Sequence, residues 1–412
     1  MYHLNNINKI RIFLILYASL LFGFYFGENS SGGAYADFQM RMGLIDHFNN
    51  NFKETFLNYH NFSDRHSPLL IIIISFFNSL GIPIDFIRLI HLNFIPLLIL
   101  ISYKCLILKF AKINKNLLFI ISCVFFLSAS LRSIAIWPDS RLIGLLLFLC
   151  SVYFFLKFQI SCNYKDTIYS NLLLILSAYF SPNFAIFFIY FFFYYLKFYN
   201  FSRRTIILLL LNFILSLPMF FYVFVLDVNF FAIKAVNIGT IESLNISNKI
   251  FIISSLIFFY LFPFITNKSL LKLIINEFKI NYFYFLIIIY FLLLFFFNYS
   301  DVYTGGGIFF RISNLIFGNS YFFFIITFIS LLVIISLFKI NINNTLLFFI
   351  LIISNPQLTI YHKYYDPLLI LLFFLFFDFK FCKEEFLNKN YLINIYVFYI
   401  FLLAINLGRY FI

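Results

Sequence analysis

Residues 205–226 read TIILLLLNFILSLPMFFYVFVL, an unbroken run without a charge, bracketed by Arg203-Arg204 before it and Asp227 after it. A run of about 18 or more such residues is long enough to cross a ~30 Å hydrocarbon core as a helix. Runs of the same kind recur from end to end, and they predict thirteen spans: 10–26, 84–108, 116–136, 140–158, 167–181, 183–198, 205–226, 250–266, 281–299, 320–338, 345–361, 367–379 and 391–408. The fold class that follows is all-α, a polytopic membrane protein. Composition excludes the soluble alternative. Of 412 residues, 63% are hydrophobic and only 11% charged, whereas a soluble domain carries about 25% charged residues. The 68 Phe are read as lipid-facing filler rather than as binding features.

The run 68–80 ends at Gly81 and Pro83 and is too short to span. It is read as an interfacial or re-entrant helix. The net charge of +13 tests this choice, because loops facing the cytoplasm carry the excess of Lys and Arg. With the N-terminus in the cytoplasm, the inner face collects 18 basic and five acidic residues, and the outer face is balanced. Treating 68–80 as a true span would move the basic cluster 104–115 outside and scramble the asymmetry. The basic excess is thereby assigned to the membrane rather than to nucleic acid. The five cysteines show no CxxC spacing, so neither a disulfide nor a metal site is expected.

The polar outer-face residues are the candidates for chemistry. The first outer loop, 28–83, opens with Gly32-Gly33-Ala34-Tyr35-Ala36-Asp37. Phe38, Met42, Ile45 and Phe48 then recur at helical spacing and predict an amphipathic helix lying on the membrane. Asp37 at its start reads equally as an N-cap or as a reactive carboxylate. Arg65-His66-Ser67-Pro68, Asp85 with Arg88, Trp137-Pro138-Asp139-Ser140-Arg141 and His362-Lys363-Tyr364-Tyr365-Asp366-Pro367 fall on the same face. Each alone is equally a solvated loop or an interfacial anchor.

Their order and side resemble the GT-C superfamily of polytopic glycosyltransferases, which take a sugar from a polyprenyl-phosphate carrier. The features that carry the resemblance are Asp37, Ser67-Pro68-Leu69, Arg88-Leu89 leading to Lys104 and Lys109, Pro138-Asp139, and loosely Lys363-Tyr364-Tyr365-Asp366-Pro367. It covers residues 1–200 best, leaving 201–412 as variable C-terminal helices. Asp37 lacks the acidic neighbour many members have, and Arg65-His66 stands where aminoarabinose-type members carry Glu-Lys.

The resemblance implies an inverting transfer at the outer face of a plasma membrane, such as a bacterial inner membrane. A glycan or lipid would be the acceptor. Asp37 would act as base, with Asp139 as second acid or acceptor positioner. Arg41, Arg88, Arg141 and Lys363 are then candidate phosphate contacts, and His66, Arg65 and Tyr364 candidate sugar or acceptor contacts. No cofactor is implied, and a divalent metal is compatible without being required.

Two other classes share the helix pattern. A polysaccharide polymerase or ligase usually places its large basic loop in the second half of the chain, whereas here the largest polar loop is the first. A coupled transporter or flippase usually keeps ionisable groups near mid-membrane, and the spans here are almost free of them. The run Thr304-Gly305-Gly306-Gly307 lacks the Lys-Ser/Thr of a P-loop.

Overall fold

A computed structural model describes residues 6–62, 64, 66–228, 245–265, 272, 274–275, 282–300, 305–355, 357 and 359–408. Among the sequence candidates, Arg65 lies outside the described residues. So do Lys268, Glu277 and Lys279 of the charge count and Thr304 of the glycine run. The described chain is helical almost throughout; outside its helices it contains one isolated β-bridge, Phe338 to Phe379. It divides into two compact units, residues 1–233 with 399–412, and residues 234–398.

The first unit begins with α1 (Asn6–Tyr25). The loop after it folds into α2 (Ala34–Asn50), α3 (Phe52–Leu57) and α4 (Leu69–Ser79). Next come α5 (Ile84–Leu92), α6 (Phe94–Lys109), α7 (Lys115–Cys123), α8 (Ala129–Ile136), α9 (Ser140–Ser161), α10 (Tyr164–Phe180), α11 (Phe187–Tyr199) and α12 (Arg203–Phe220). Among the described residues, five stretches are long and apolar enough to cross a membrane: 84–109, 140–161, 203–225, 246–265 and 389–408. A sixth candidate, α7 with the turn after it and α8, is bent by 65°. The break falls at Ser128, whose side chain leaves the helical pattern to accept the Leu131 N–H. Other expected spans appear as shorter apolar helices, such as Tyr321–Leu337 and Ile342–Ile353. The segment expected to be too short to span is indeed the 11-residue α4.

Small residues set how closely the spans pack. Ser177 donates to the Gly144 carbonyl at 2.7 Å, and Ser151 to the Ser170 carbonyl at 2.6 Å. A Cβ on Gly144 would stand 2.6 Å from the Ser181 Cβ. The α9–α10 hairpin is thus a small-residue interface in which backbones approach without a side chain between them. By contrast α12 and the π-helical turn that continues it (Phe221–Val225) leave Phe213, Ile214, Phe220 and Phe224 more than half exposed. That is costly in water and natural against lipid.

The first loop departs from expectation. The apolar face of α2 packs against α4 rather than lying on lipid. Leu44, Ile45 and Phe48 share a core with Leu70, Ile71 and Ile74, and the Ser75 hydroxyl donates to the Ile45 carbonyl. Each fully buried side chain of this kind contributes roughly 1.5–3 kcal/mol, so the loop is a small folded layer.

In the second unit α13 (Ile246–Ile265) is largely enclosed, with Phe251, Ile252, Ile253, Leu256 and Ile257 out of contact with solvent. It packs against Gly307–Phe317, Tyr321–Leu337 and Ile342–Ile353.

Candidate functional site

Three segments far apart in sequence meet around the Arg41 guanidinium. It is carried on the buried face of α2. Its Nε donates to Asp64 Oδ2 at 3.1 Å, and its Nη1 to the Pro138 carbonyl at 3.0 Å and to Asp139 Oδ2 at 3.1 Å. Its Nη2 lies 2.9 Å from His66 Nδ1. Asp139 also caps α9. Its Oδ1 accepts the Arg141 backbone N–H at 2.9 Å, and the Arg141 side chain donates to both of its oxygens at 2.8 Å. The sequence Pro-Asp-Ser-Arg folds this way because Asp satisfies a first-turn N–H while the Arg two residues on returns to the same carboxylate.

Asp64 was not singled out by the sequence. It accepts the His66 backbone N–H at 2.9 Å, and its Oδ1 lies 2.7 Å from His66 Nδ1. Tyr59, fully buried, donates its hydroxyl to the His66 carbonyl. The available signal was local: an Asp two residues before a His can accept its backbone N–H in an Asx-type turn.

The electrostatics follow from burial and pairing together. Burial pushes the Asp64 and Asp139 carboxyls up, but their arginines and His66 outweigh it and hold both well below the usual carboxylate range. Burial opposes the charge on Arg41; Asp64, Asp139 and Asp37 outweigh it and raise its pKa. Tyr59 is pushed well up by burial and by Asp64. A buried pair like this is costly to form and more costly to break.

Asp37 lies one turn before Arg41 on α2, half-buried, and its charge acts on that guanidinium. It is not the N-cap. Gly33 holds that position, and the Asp37 N–H donates to the Gly33 carbonyl at 3.0 Å inside the helix. The two glycines let the chain enter the helix earlier than a capping reading of Asp37 allows.

A second contact layer holds the Trp137 corner. Arg88 stacks on Trp137, 4.0 Å from the ring centroid, and pairs with Asp85 at 2.7 Å. The Trp137 indole N–H donates to the Glu28 carbonyl at 2.9 Å. The Glu28 carboxylate forms a buried bidentate pair with Arg132. Trp137, read from sequence as an interfacial anchor, is therefore a buried strut.

Arg41, His66, Asp139 and Arg141 are thus brought together, with Asp37 and Arg88 on the adjoining elements. Lys363 and Tyr364 belong to the second unit. There Lys363 sits over the Tyr361 ring, and the neighbouring His362 shares a short hydrogen bond with Tyr260. Two cavities lie away from the cluster. One of about 520 Å³ is lined by α10, α11 and α12 residues including Tyr179, Asn212 and Met219. The other, of about 560 Å³, is lined by α2 and α4 residues including Phe48 and Phe76. Among the described residues, no three His, Cys, Asp or Glu side chains are arranged to hold a metal ion. Compared with known proteins, the chain matches no family model, no curated protein and no solved structure.

Proposed function

We propose that the chain is a multi-pass membrane glycosyltransferase. It would move a sugar from a polyprenyl-phosphate carrier to a glycan or lipid acceptor at the outer face, with its N-terminus in the cytoplasm and thirteen crossings. The observation that supports this reading is the position of Arg41. One turn from Asp37 and tied to Asp64, His66 and Asp139, it joins stations separated by about a hundred residues into one polar cluster.

In this reading the acceptor hydroxyl gives its proton to Asp37 as its oxygen attacks the anomeric carbon. The bond from that carbon to the carrier phosphate breaks, and the phosphate leaves with the electron pair. Arg88 is the preferred contact for that charge, because its partner Asp85 is 82% exposed and readily exchanged for another anion. Arg41 and Arg141 are committed to buried carboxylates. Asp139 therefore acts as a positioning residue, its oxygens taken up by two arginines.

The test is transfer by the purified full chain with a panel of polyprenyl-phosphate sugars, comparing wild type with Asp37→Asn at matched protein amount. Loss of the base should lower transfer by about 10²–10⁴-fold. Near-normal transfer would return Asp37 to a structural role. Cysteine-accessibility labelling should place positions near Lys112 and Lys383 inside and those near Asp37 and His362 outside. Lys112 outside would remove the interfacial reading of α4 and the transferase reading with it.

A further inference from the structure

The cavity of about 520 Å³ between α10, α11 and α12 takes no part in the site described above. Its size is that of a ligand pocket, about 300–1,000 Å³. Leu174, Ala178, Pro182, Phe188, Leu209 and Met219 are among its walls. Three polar side chains reach it, and each is turned onto a carbonyl of α12. Tyr179 donates to Leu215, Asn212 to Leu208 and Ser216 to Phe213. The groove therefore offers a ligand hydrocarbon surface. Ala185, Phe213 and Ser216, also on its walls, are exposed, so it opens sideways on the face of α12 that suits lipid.

The two ends of this groove differ in charge. α10 and α12 begin, and α9 and α11 end, on the same side, where the Tyr164 hydroxyl donates to the Arg204 carbonyl at 3.2 Å. From position 157 to 204 the chain has five basic residues and one acid. That acid, Asp166, is taken by Lys157 at 3.2 Å and by the Ser161 hydroxyl at 2.9 Å. Lys165, Lys197, Arg203 and Arg204 remain, all exposed. Two rings hold Arg204, the Tyr164 and Tyr199 centroids lying 5.5 and 5.6 Å from its guanidinium. At the far end, the turn Ser181-Pro182-Asn183 carries no charge, and the apolar stretch stops at exposed Asp227. An anion is attracted to the first end and not to the second.

We propose that a phospholipid with an anionic headgroup docks here, its phosphate on Arg203 and Arg204 and one acyl chain in the groove. The spacing along α12 fits. The groove starts at Leu209, five residues past Arg204, and ends at Met219, fifteen past it. At about 1.5 Å per residue those levels stand roughly 8 and roughly 22 Å beyond the arginine. The groove is then about as long as one leaflet is deep, half of a ~30 Å core. An acyl chain hung from a phosphate at Arg204 runs along it, whereas a polyprenyl chain, much longer than a leaflet, would overrun it. The inference needs the chain to lie in a bilayer and is independent of sugar transfer.

The experiment places the purified full chain in nanodiscs of phosphatidylcholine. The probe is a trace of phosphatidylglycerol with a diazirine in one acyl chain, and irradiated peptides are mapped by mass spectrometry. Label should concentrate on 174–188 and 209–219. The same chain on a phosphatidylcholine head should label these segments on the order of 25-fold less, about fivefold for each arginine. The double variant Arg203→Gln, Arg204→Gln should lose most of that preference. Ser216→Phe, which fills the groove and leaves the charges in place, should remove label from both segments. Raising salt to about 1 M, where screening acts within about 3 Å, should shrink the preference in wild type. That arm carries the test if a variant fails to fold.

Equal labelling by the two heads at low salt would overturn the inference. So would label spread evenly over α12 and the lipid-exposed helix 389–408, or a preference unchanged in the double variant. Displacement of the probe by undecaprenyl phosphate at far lower concentration than by phosphatidylglycerol would overturn it in favour of a carrier site. No arm reads sugar transfer, so failure here leaves the transferase reading where it stands.

Discussion

The two units bury polarity in different ways. The first encloses full charges against full charges: Arg41 and Arg141 against Asp64 and Asp139, and Arg132 against Glu28. The second relies mainly on amides. Asn341 and Asn343 donate to the Asp378 carboxylate at 2.9 and 2.8 Å, and Asn344 both donates to the Asp378 carbonyl and accepts its N–H. Asn248 exchanges two hydrogen bonds with Asn298. Its enclosed ammonium, Lys249, donates to the Asn355 carbonyl just past the end of the Ile342–Ile353 helix, where a cation suits the helix dipole. Amide lattices lock loops without changing charge. A charge lattice ties distant loops through full charges, each of which depends on its partners. The two units therefore differ in what a single substitution should cost.

The largest expected effect lies in rate. Asp37→Asn should cost about 10²–10⁴-fold in transfer while folding stability falls by much less than for Asp139→Asn, because Asp37 is only half-buried and Asn keeps its shape. A matched loss of stability would make Asp37 a structural member of the charge lattice and blur the contrast.

Next in size is Asp139→Asn. It leaves two buried guanidinium groups short of a carboxylate and should destabilise by about 3–5 kcal/mol. Asp378→Asn, among amide donors, should cost only about 1–2 kcal/mol. Unfolding of the purified protein followed by denaturant titration reads both, and equal values would break the comparison outright.

A smaller effect is expected from acid. The folded-state pKa values of Asp64 and Asp139 lie below their unfolded value, so their stabilisation is present above that value of about 3.9. It is lost as pH falls from there toward the folded values. Hydrogen exchange should show α2 and residues 64–68 and 139–141 losing protection as pH falls below about 4, ahead of α13. Simultaneous loss in both units would show that the carboxylates do not set acid stability.

Smallest of all is Lys249→Met. It removes a buried charge with no carboxylate partner among the described residues, so stability should change by less than about 1 kcal/mol or rise. A loss above about 3 kcal/mol would show that the second unit also depends on charge.

How much of this was legible depends on the range over which each feature is decided. The runs 140–158 and 205–226 announced their helices because hydrophobicity alone decides whether a segment spans. The shortness of 68–80 was readable for the same reason. Asp37, Arg41, Asp139 and Arg141 were readable as candidates from residue type, order and side. The cap at Gly33, Asp64 as the partner of Arg41, and Trp137 as a strut were not. Each depends on which loop meets which, and sequence spacing does not encode that.

The sequence by itself determined that this chain is helical and rich in apolar segments, because backbone satisfaction and transfer energy act residue by residue along a segment. Only the tertiary structure decided which charges face each other. Pairing energy depends on distances of about 3 Å between groups up to about a hundred positions apart, and on the burial that makes those distances count.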